Sequence, residues 1–206
     1  MSLNLNDYKT GGKKDFGRVE DGTYPARVVQ VVGLGKHKAT DWQTGKVKVY
    51  DDGNVVIQDL VMFTWEFPTE RLEIDGESKP RWYSREYTIS ANEKANLPKI
   101  LAALGCGSDL SEAINKPCLV TIGSTSTGKA KVTGVTKLPK GMEVAELENV
   151  SKVFDPYNPD MEVWESLPAF MKTKIRAAED FDNMKLKKLL DVERAQEDSP
   201  DDELPF

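Results

Sequence analysis

The apolar positions of this chain predict three strands before the first helix. A Val-rich segment, 22–34, and the segment 55–67, where large apolar residues recur at every second position, have the periodicity of β-strands. A third strand is predicted at 81–90, where Arg and Tyr alternate with Trp, Ser and Glu. The alternation in the first segment is imperfect, which indicates burial on both faces or a bulge.

A helix and two further strands follow. Apolar residues in 92–107 recur at helical spacing, and Pro98 within them predicts a kink or a restart of the helix. The segments 118–123 and 130–138 are two more strand candidates. The order β-β-β-α-β-β is that of the OB-fold, a five-stranded barrel whose second and third strands and flanking loops bind oligonucleotides. The sequence therefore predicts a mainly β protein with added helices, built on an OB-fold barrel.

The pattern changes after Lys140. A Pro-containing connector precedes the amphipathic segment 161–178, which Pro168 divides into two short helices, and 183–190 forms a third amphipathic piece. We expect these helices to pack against the barrel or against a partner. The predicted organisation is a flexible basic arm (1–21), an OB-fold DNA-binding domain (22–140), a connector with a helical extension (141–195) and a disordered acidic tail (196–206).

Charge divides the chain in the same way. Residues 1–140 hold 20 Lys and Arg against 17 Asp and Glu, whereas residues 141–206 hold 8 against 17. A basic body joined to an acidic end is typical of a nucleic-acid surface with an acidic tail, although solubility alone would also explain the tail.

The predicted third strand and the polar loop between the first two strands combine cations with aromatic rings. A guanidinium or ammonium pairs with phosphate, and a ring stacks on an unpaired base. An alternative is a sheet face covered by Arg stems, with Tyr at its edge. The candidate residues for binding single-stranded DNA are Lys36, Lys38, Trp42, Lys46, Lys48, Arg81, Tyr83, Arg85 and Tyr87.

Other kinds of site have little support in the sequence. Two cysteines and one histidine cannot complete a zinc site without a carboxylate, so no metal or other cofactor is predicted, and both thiols are expected to be small buried groups in a reducing compartment. The segment 123–130 approaches a P-loop, but Ala130 replaces the magnesium-binding hydroxyl and a strand follows instead of a helix. The sequence offers no nucleophile with an assigned base and no motif of paired carboxylates, so we expect a protein without enzymatic activity. The chain lacks a bilayer-length apolar run and a secretion signal, which predicts a cytoplasmic protein without membrane contact.

The last residues carry the most specific motif. Acids precede a bulky aliphatic residue, Pro and Phe in Asp201, Asp202, Glu203, Leu204, Pro205 and Phe206. This peptide resembles the C-terminal peptide of bacterial single-stranded DNA-binding proteins. The body, with PRWYSREYTIS leading into EKANLPKIL and with LPAFMKTKI later, is similar to single-stranded DNA-binding proteins of tailed bacteriophages.

These resemblances imply a protein that coats single-stranded DNA without sequence specificity. The tail would recruit proteins of DNA replication, recombination and repair, in the host cytoplasm if a phage encodes the chain. Two alternatives stay open: an RNA-binding OB protein, and an acidic interaction or inhibitor protein that acts through its C-terminal third. Homo-oligomerisation is also left open, because helices replace the long Gly/Gln-rich linker of the bacterial proteins.

Overall fold

Six strands and four α-helices make up the part of the chain that the computed structural model describes, residues 18–41 and 43–197. The strands are β1 (Gly22–Lys38), β2 (Ile57–Ile74), β3 (Glu77–Thr88), β4 (Pro117–Ser124), β5 (Ala130–Lys137) and β6 (Lys152–Phe154). The helices are α1 (Asn96–Leu104), α2 (Met161–Ser166), α3 (Ala169–Arg176) and α4 (Lys185–Glu197). The prediction of a mainly β fold with added helices is confirmed.

β1 is a long strand with two irregularities. Its register against β2 shifts between Val28 and Gln30 and again between Gly33 and Gly35. Side chains of β1 also enter two different apolar cores, one on each face of the sheet. The imperfect alternation therefore has both of its expected causes, a bulge and burial on two faces.

β2 and β3 form a hairpin longer than the sequence predicts. The predicted strands end at Phe67 and begin again at Arg81, but β2 continues to Ile74 and β3 begins at Glu77, and Asp75 and Gly76 make the connection with φ angles of 52° and 84°. Positive φ at both residues is the geometry of a two-residue hairpin turn, and Asp-Gly favours it. The predicted strand bounds were too short because residues 68–74 of β2 and 77–79 of β3 are exposed or only partly buried. Polar residues therefore occupy positions that are apolar in the buried part of β2.

The sheet has the order β3-β2-β1-β4-β5, with antiparallel pairing throughout, and β6 adds a short parallel pairing to β1. Among the described residues no backbone ladder joins the edge strands β3 and β5, so the sheet is not closed into the predicted five-stranded barrel. The side chain of Arg85 on β3 crosses the opening. Its Nη1 donates hydrogen bonds to the main-chain oxygens of Val132 and Thr133 on β5, at 2.9 and 3.2 Å.

The first core lies inside the curved sheet and is capped by α1. It contains the apolar inner face of β2, including Phe63, Trp65 and Phe67, together with residues of the other strands. α1 begins at Asn96, so Pro98 stands in the first turn, where a missing N–H breaks no intrahelical hydrogen bond. Gly105 ends the helix in the left-handed conformation, with φ 69°.

The second core lies on the opposite face of β1 and β2, beneath the C-terminal helices. Trp164, Met171, Ile175 and residues near α4 pack there with Val32, Leu34, Leu60 and Met62 of the strands. The predicted division at Pro168 is confirmed, since α2 ends at Ser166 and α3 begins at Ala169. The helices therefore pack on the sheet, which was one of the two expected arrangements.

Candidate nucleic-acid interface

Residues 39–41 and 43–56, between β1 and β2, form a projection that is called the finger below. Three main-chain hydrogen bonds of 2.8 to 2.9 Å join its segments: Ala39 to Val56, Val56 to Lys48, and Lys48 to Ala39. Two bridges, Thr40 opposite Val47 and Val49 opposite Val55, continue this pairing. The long loop expected here is thus a small β-meander, with a fixed orientation for its side chains.

Two aspartates hold the turns of the finger. One carboxylate oxygen of Asp41 accepts hydrogen bonds from the N–H groups of Gln43 and Thr44 and from the Thr44 hydroxyl. Asp52 accepts bonds from the N–H and the side-chain amide of Asn54. The bonds from Thr44 and from Asn54 lower the pKa of Asp41 and of Asp52, respectively, below their ordinary values.

The middle segment of the finger presents cations and an aromatic ring on one face. Alternation along KVKVY places Lys46, Lys48 and Tyr50 on one side and Val47 and Val49 on the other. All five side chains are exposed, Tyr50 to 57%. Two ammonium groups beside a solvent-facing ring are the elements needed for phosphate pairing and base stacking. Tyr50 was missing from the predicted site, although the strict alternation of KVKVY is a signal that would have found it.

The predicted aromatic face of β3 points the other way. Tyr87 is only 5% exposed and packs edge-on against Phe63 and Trp65 in the first core, so the expectation of an exposed stacking ring is wrong there. Burial raises the pKa of Tyr87 to about 12, although the positive charge of Arg85 acts to lower it. Tyr83 is half-buried, with its ring centroid 5.4 Å from that of Phe67 in an edge-to-face contact. The Arg-Tyr face is therefore the inner face of the strand, close to the alternative considered from the sequence.

Arg85 lies at a cleft between the two sheet edges. Besides its bonds to β5, its guanidinium carbon stands 5.2 Å from the centre of the Tyr87 ring. The cleft has a volume of about 380 Å³ and is lined by Ser84, Arg85, Lys131, Val132 and Thr133. Lys131, which the sequence reasoning missed, is exposed at this site and adds a second cation. No local sequence signal marked it, because only the approach of β5 to β3 brings the two cations together.

The outer face of β3 carries Trp82, Ser84, Glu86 and Thr88, all exposed. Trp82 is 36% exposed, and its Nε1 donates a hydrogen bond of 2.9 Å to the carboxylate of Glu66. Glu66 is fully buried and also accepts bonds from Glu148 N and from the side-chain amide of Asn149, each at 2.7 Å. This network fixes the plane of the Trp82 ring while leaving part of the ring in solvent, so Trp82 is a second missed candidate for stacking.

The remaining predicted residues occupy separate places. Lys36 and Lys38 are exposed at the end of β1, where the finger begins, and the Lys38 ammonium is paired with Glu179 at 3.4 Å. Arg81 is half-buried and donates from Nε to the main-chain oxygen of Arg71 at 3.3 Å. Trp42 and the tail residues 201–206 lie outside the described residues, as does most of the predicted basic arm. The exposed cations and rings that could act together therefore lie in the finger, in the cleft and on the outer face of β3.

The thiols and carboxylates of the described residues form neither a reactive cysteine site nor a metal site. Burial raises the pKa of the Cys118 thiol to about 12, and Cys106 is half-buried, with its pKa raised by burial as well. Residues 18–41 and 43–197 contain no group of three or more His, Cys, Asp or Glu side chains placed to hold a metal ion. Over the same residues, no helix combines the length and apolar character needed to cross a membrane.

Comparisons with protein-family models, with curated proteins and with solved structures gave no match. Functional assignment therefore rests on the residues and geometry of this chain.

Proposed function

We propose that this protein binds single-stranded DNA without sequence specificity and without enzymatic activity. In this proposal β1 to β5 and α1 are an OB-fold barrel that is open between β3 and β5. The supporting features are the strand order, the helix between the third and fourth strands, and Arg85 bridging the two edges that a closed barrel would join. The finger then takes the position of the loop between the first two strands, which contacts oligonucleotides in that fold.

One observation carries the proposal: Lys46, Lys48 and Tyr50 share one exposed face of a finger whose turns are held by Asp41 and Asp52. Ammonium groups next to a ring match the alternation of phosphate and base in a nucleic-acid strand. The exposed ring favours an unpaired strand, because bases in a duplex have their faces stacked on one another and closed to a protein ring. Lys131 and Arg85 in the cleft and the oriented ring of Trp82 supply further contacts of the same two kinds.

The C-terminal helices narrow the surface that remains for DNA. They cover the face of β1 and β2 opposite the first core, including Leu60 and Met62 of β2. A DNA strand bound to this protein would therefore contact the finger, the cleft and β3. The tail residues 201–206 would stay available to recruit replication, recombination and repair proteins, as the resemblance to bacterial single-stranded DNA-binding proteins implies.

The test is fluorescence anisotropy with labelled oligo-dT, oligo-U and duplex DNA. We expect tightest binding to oligo-dT, with log K falling against log salt at about −0.7 per phosphate contact. The double variant Lys46→Gln/Lys48→Gln should weaken binding and make that slope shallower by about 1.4. Lys185→Gln/Lys188→Gln on α4 is the control with the same charge change.

Each alternative function has its own result in this assay. Equal or tighter binding to oligo-U would identify an RNA-binding protein instead. Absence of binding to all three probes would contradict the proposal and favour an interaction protein that acts through its acidic C-terminal third. A slope that is the same in the wild type and the finger double variant would exclude the finger as the phosphate-binding element.

A further inference from the structure

The finger and β3 present their candidate DNA contacts on the same side of the sheet. The cationic face of the finger consists of Lys46, Lys48 and Tyr50. On β3, the Thr88 hydroxyl donates a hydrogen bond of 3.0 Å to the side-chain oxygen of Gln58, so Gln58 points to the outer face. Val55, three positions earlier, points to the opposite face, and its bridge to Val49 puts Val49 there as well. The cationic face, which alternates with Val49, therefore points outward.

Helix α3 borders this outer face. Nζ of Lys174 lies 2.9 Å from Oε2 of Glu86, a residue of the outer face of β3. Phe170 precedes Lys174 by four residues, so both side chains lie on the side of the helix that meets β3. Met171 and Ile175 are buried in the second core. The ion pair and this burial together hold α3 beside the outer face.

The ring of Phe170 is 57% exposed, although the other large apolar residues of α3 are buried. A single exposed apolar residue is common on protein surfaces, so its position is more informative than its exposure. Phe170 stands on the side of α3 that meets β3, and β3 carries Trp82 on the same outer face, 36% exposed. Tyr50 of the finger is the third exposed ring on this side of the sheet.

The carboxylates near Phe170 are neutralised or buried. Glu86 is paired with Lys174, and Glu66 is fully buried. Glu148, whose main chain contacts Glu66, forms an ion pair with Arg71. These three acids therefore oppose a phosphate chain less than free carboxylates would, because each is either matched by a cation or removed from solvent.

We infer that α3 supplies a base-stacking residue, Phe170, to the single-stranded DNA site. This assignment rests on the DNA binding proposed above. The bound strand follows the outer face of β3 from the finger to Trp82, with α3 at its side, and one of its bases stacks on the Phe170 ring. Helix α3 is then a wall of the DNA site as well as a part of the second core.

The test measures affinity for oligo-dT by fluorescence anisotropy. Phe170→Ala should weaken binding about 5- to 150-fold, with an unchanged salt slope because the ring carries no charge. Phe170→Leu keeps apolar bulk without a flat ring and should bind as weakly as Phe170→Ala, whereas Phe170→Trp should bind as the wild type does. Val192→Ala, at a residue of α4 that is 54% exposed, is the matched control and should keep wild-type affinity. Urea unfolding checks that each variant is folded under the assay conditions.

A second measurement uses the protein without any substitution. One thymidine of the oligo-dT is replaced by 5-iododeoxyuridine, at each position in turn, and the complex is irradiated. Mass spectrometry should find crosslinks in the peptide that contains Phe170 and in the peptide that contains Trp82.

Wild-type affinity in Phe170→Ala, or no crosslink to the Phe170 peptide from any position, overturns the assignment and leaves DNA binding by the finger intact. Wild-type affinity in Phe170→Leu also overturns it, because the contact would then be apolar without base stacking. Failure of the wild type to bind oligo-dT overturns the proposed function itself.

Discussion

Tyr50 and Tyr87 are the same residue type in opposite surroundings, and substitutions separate their functions. Tyr50 is 57% exposed on the finger, whereas Tyr87 is 5% exposed and packs against Trp65. Tyr50→Ala should cost about 1–3 kcal/mol in affinity for oligo-dT with little change in thermal stability. Tyr87→Ala should destabilise the fold by about 3–5 kcal/mol, as expected for a buried aromatic residue. Anisotropy and denaturant unfolding of both variants check this, and exchanged phenotypes would show that the two roles have been assigned to the wrong residues.

Gly35 sits where the second bulge of β1 meets the C-terminal helices. Its φ is +81°, and a Cβ built there would lie 2.2 Å from Cε of Met184 and 2.9 Å from Cβ of Ala178. Gly35→Ala should therefore reduce the free energy of unfolding by more than the backbone strain of about 1–3 kcal/mol. Gly45→Ala is the matched control, because Gly45 has φ +68° but no atom of the described residues lies within 4 Å of the added Cβ. If urea unfolding gives equal losses of unfolding free energy for the two variants, the Met184 side chain moves aside and the steric contact adds no cost.

At the scale of elements, the finger should respond to acid. The pKa values of Asp41 and Asp52 lie below their ordinary value of 3.8, so these carboxylates stabilise the finger above that pH and lose their effect as the pH falls through the lower folded-state values. The amide proton shifts of Thr44 and Asn54, followed by NMR from pH 6 to 2, should change below 3.8. In Asp41→Asn, Thr44 should lose this transition while Asn54 retains it. A Thr44 transition at or above 3.8 in the wild type would contradict the predicted stabilisation.

The order of strands and helices could be predicted from the sequence, because hydrophobic periodicity and the Pro and Gly residues that end an element are local properties. The Leu and Ile spacing of α1 and the break at Pro168 are examples that the structure confirms. The sequence could not show which face of β3 points to the core, because alternation defines two faces of a strand but not which of them is buried. Cross-strand partners decide it: Tyr87 stands opposite Val61 and Tyr83 opposite Trp65, whose side chains enter the first core. Lys131 was missed for a similar reason, because the approach of β5 to β3 depends on how the whole sheet curves.

At the scale of the whole molecule, the tail should compete with DNA. Residues 198–206 carry four acids and no base, so deleting them should tighten binding to oligo-dT. The gain should be larger at about 0.01 M salt than at 0.1 M, because the Debye length is then about 30 Å and the charges of the tail are screened less. Phe206→Ala keeps every acid, so DNA affinity should stay constant while capture of replication proteins in a pull-down is lost. Retention of every partner by Phe206→Ala would mean that the tail serves solubility alone.

The two cores share β1 and β2, and this has a consequence for how the chain can be divided. Consecutive residues of β2 serve both: Leu60 and Met62 pack under the C-terminal helices, while Val61 and Phe63 face the first core. A protein truncated after Lys140 would expose the apolar wall that those helices cover, so we expect it to aggregate or to be degraded during expression. Full-length protein should melt in one calorimetric transition, with limited proteolysis yielding no stable fragment that ends near residue 140. The helical extension supplies most of the second core, so removing it would require new polar residues on the strand face beneath it.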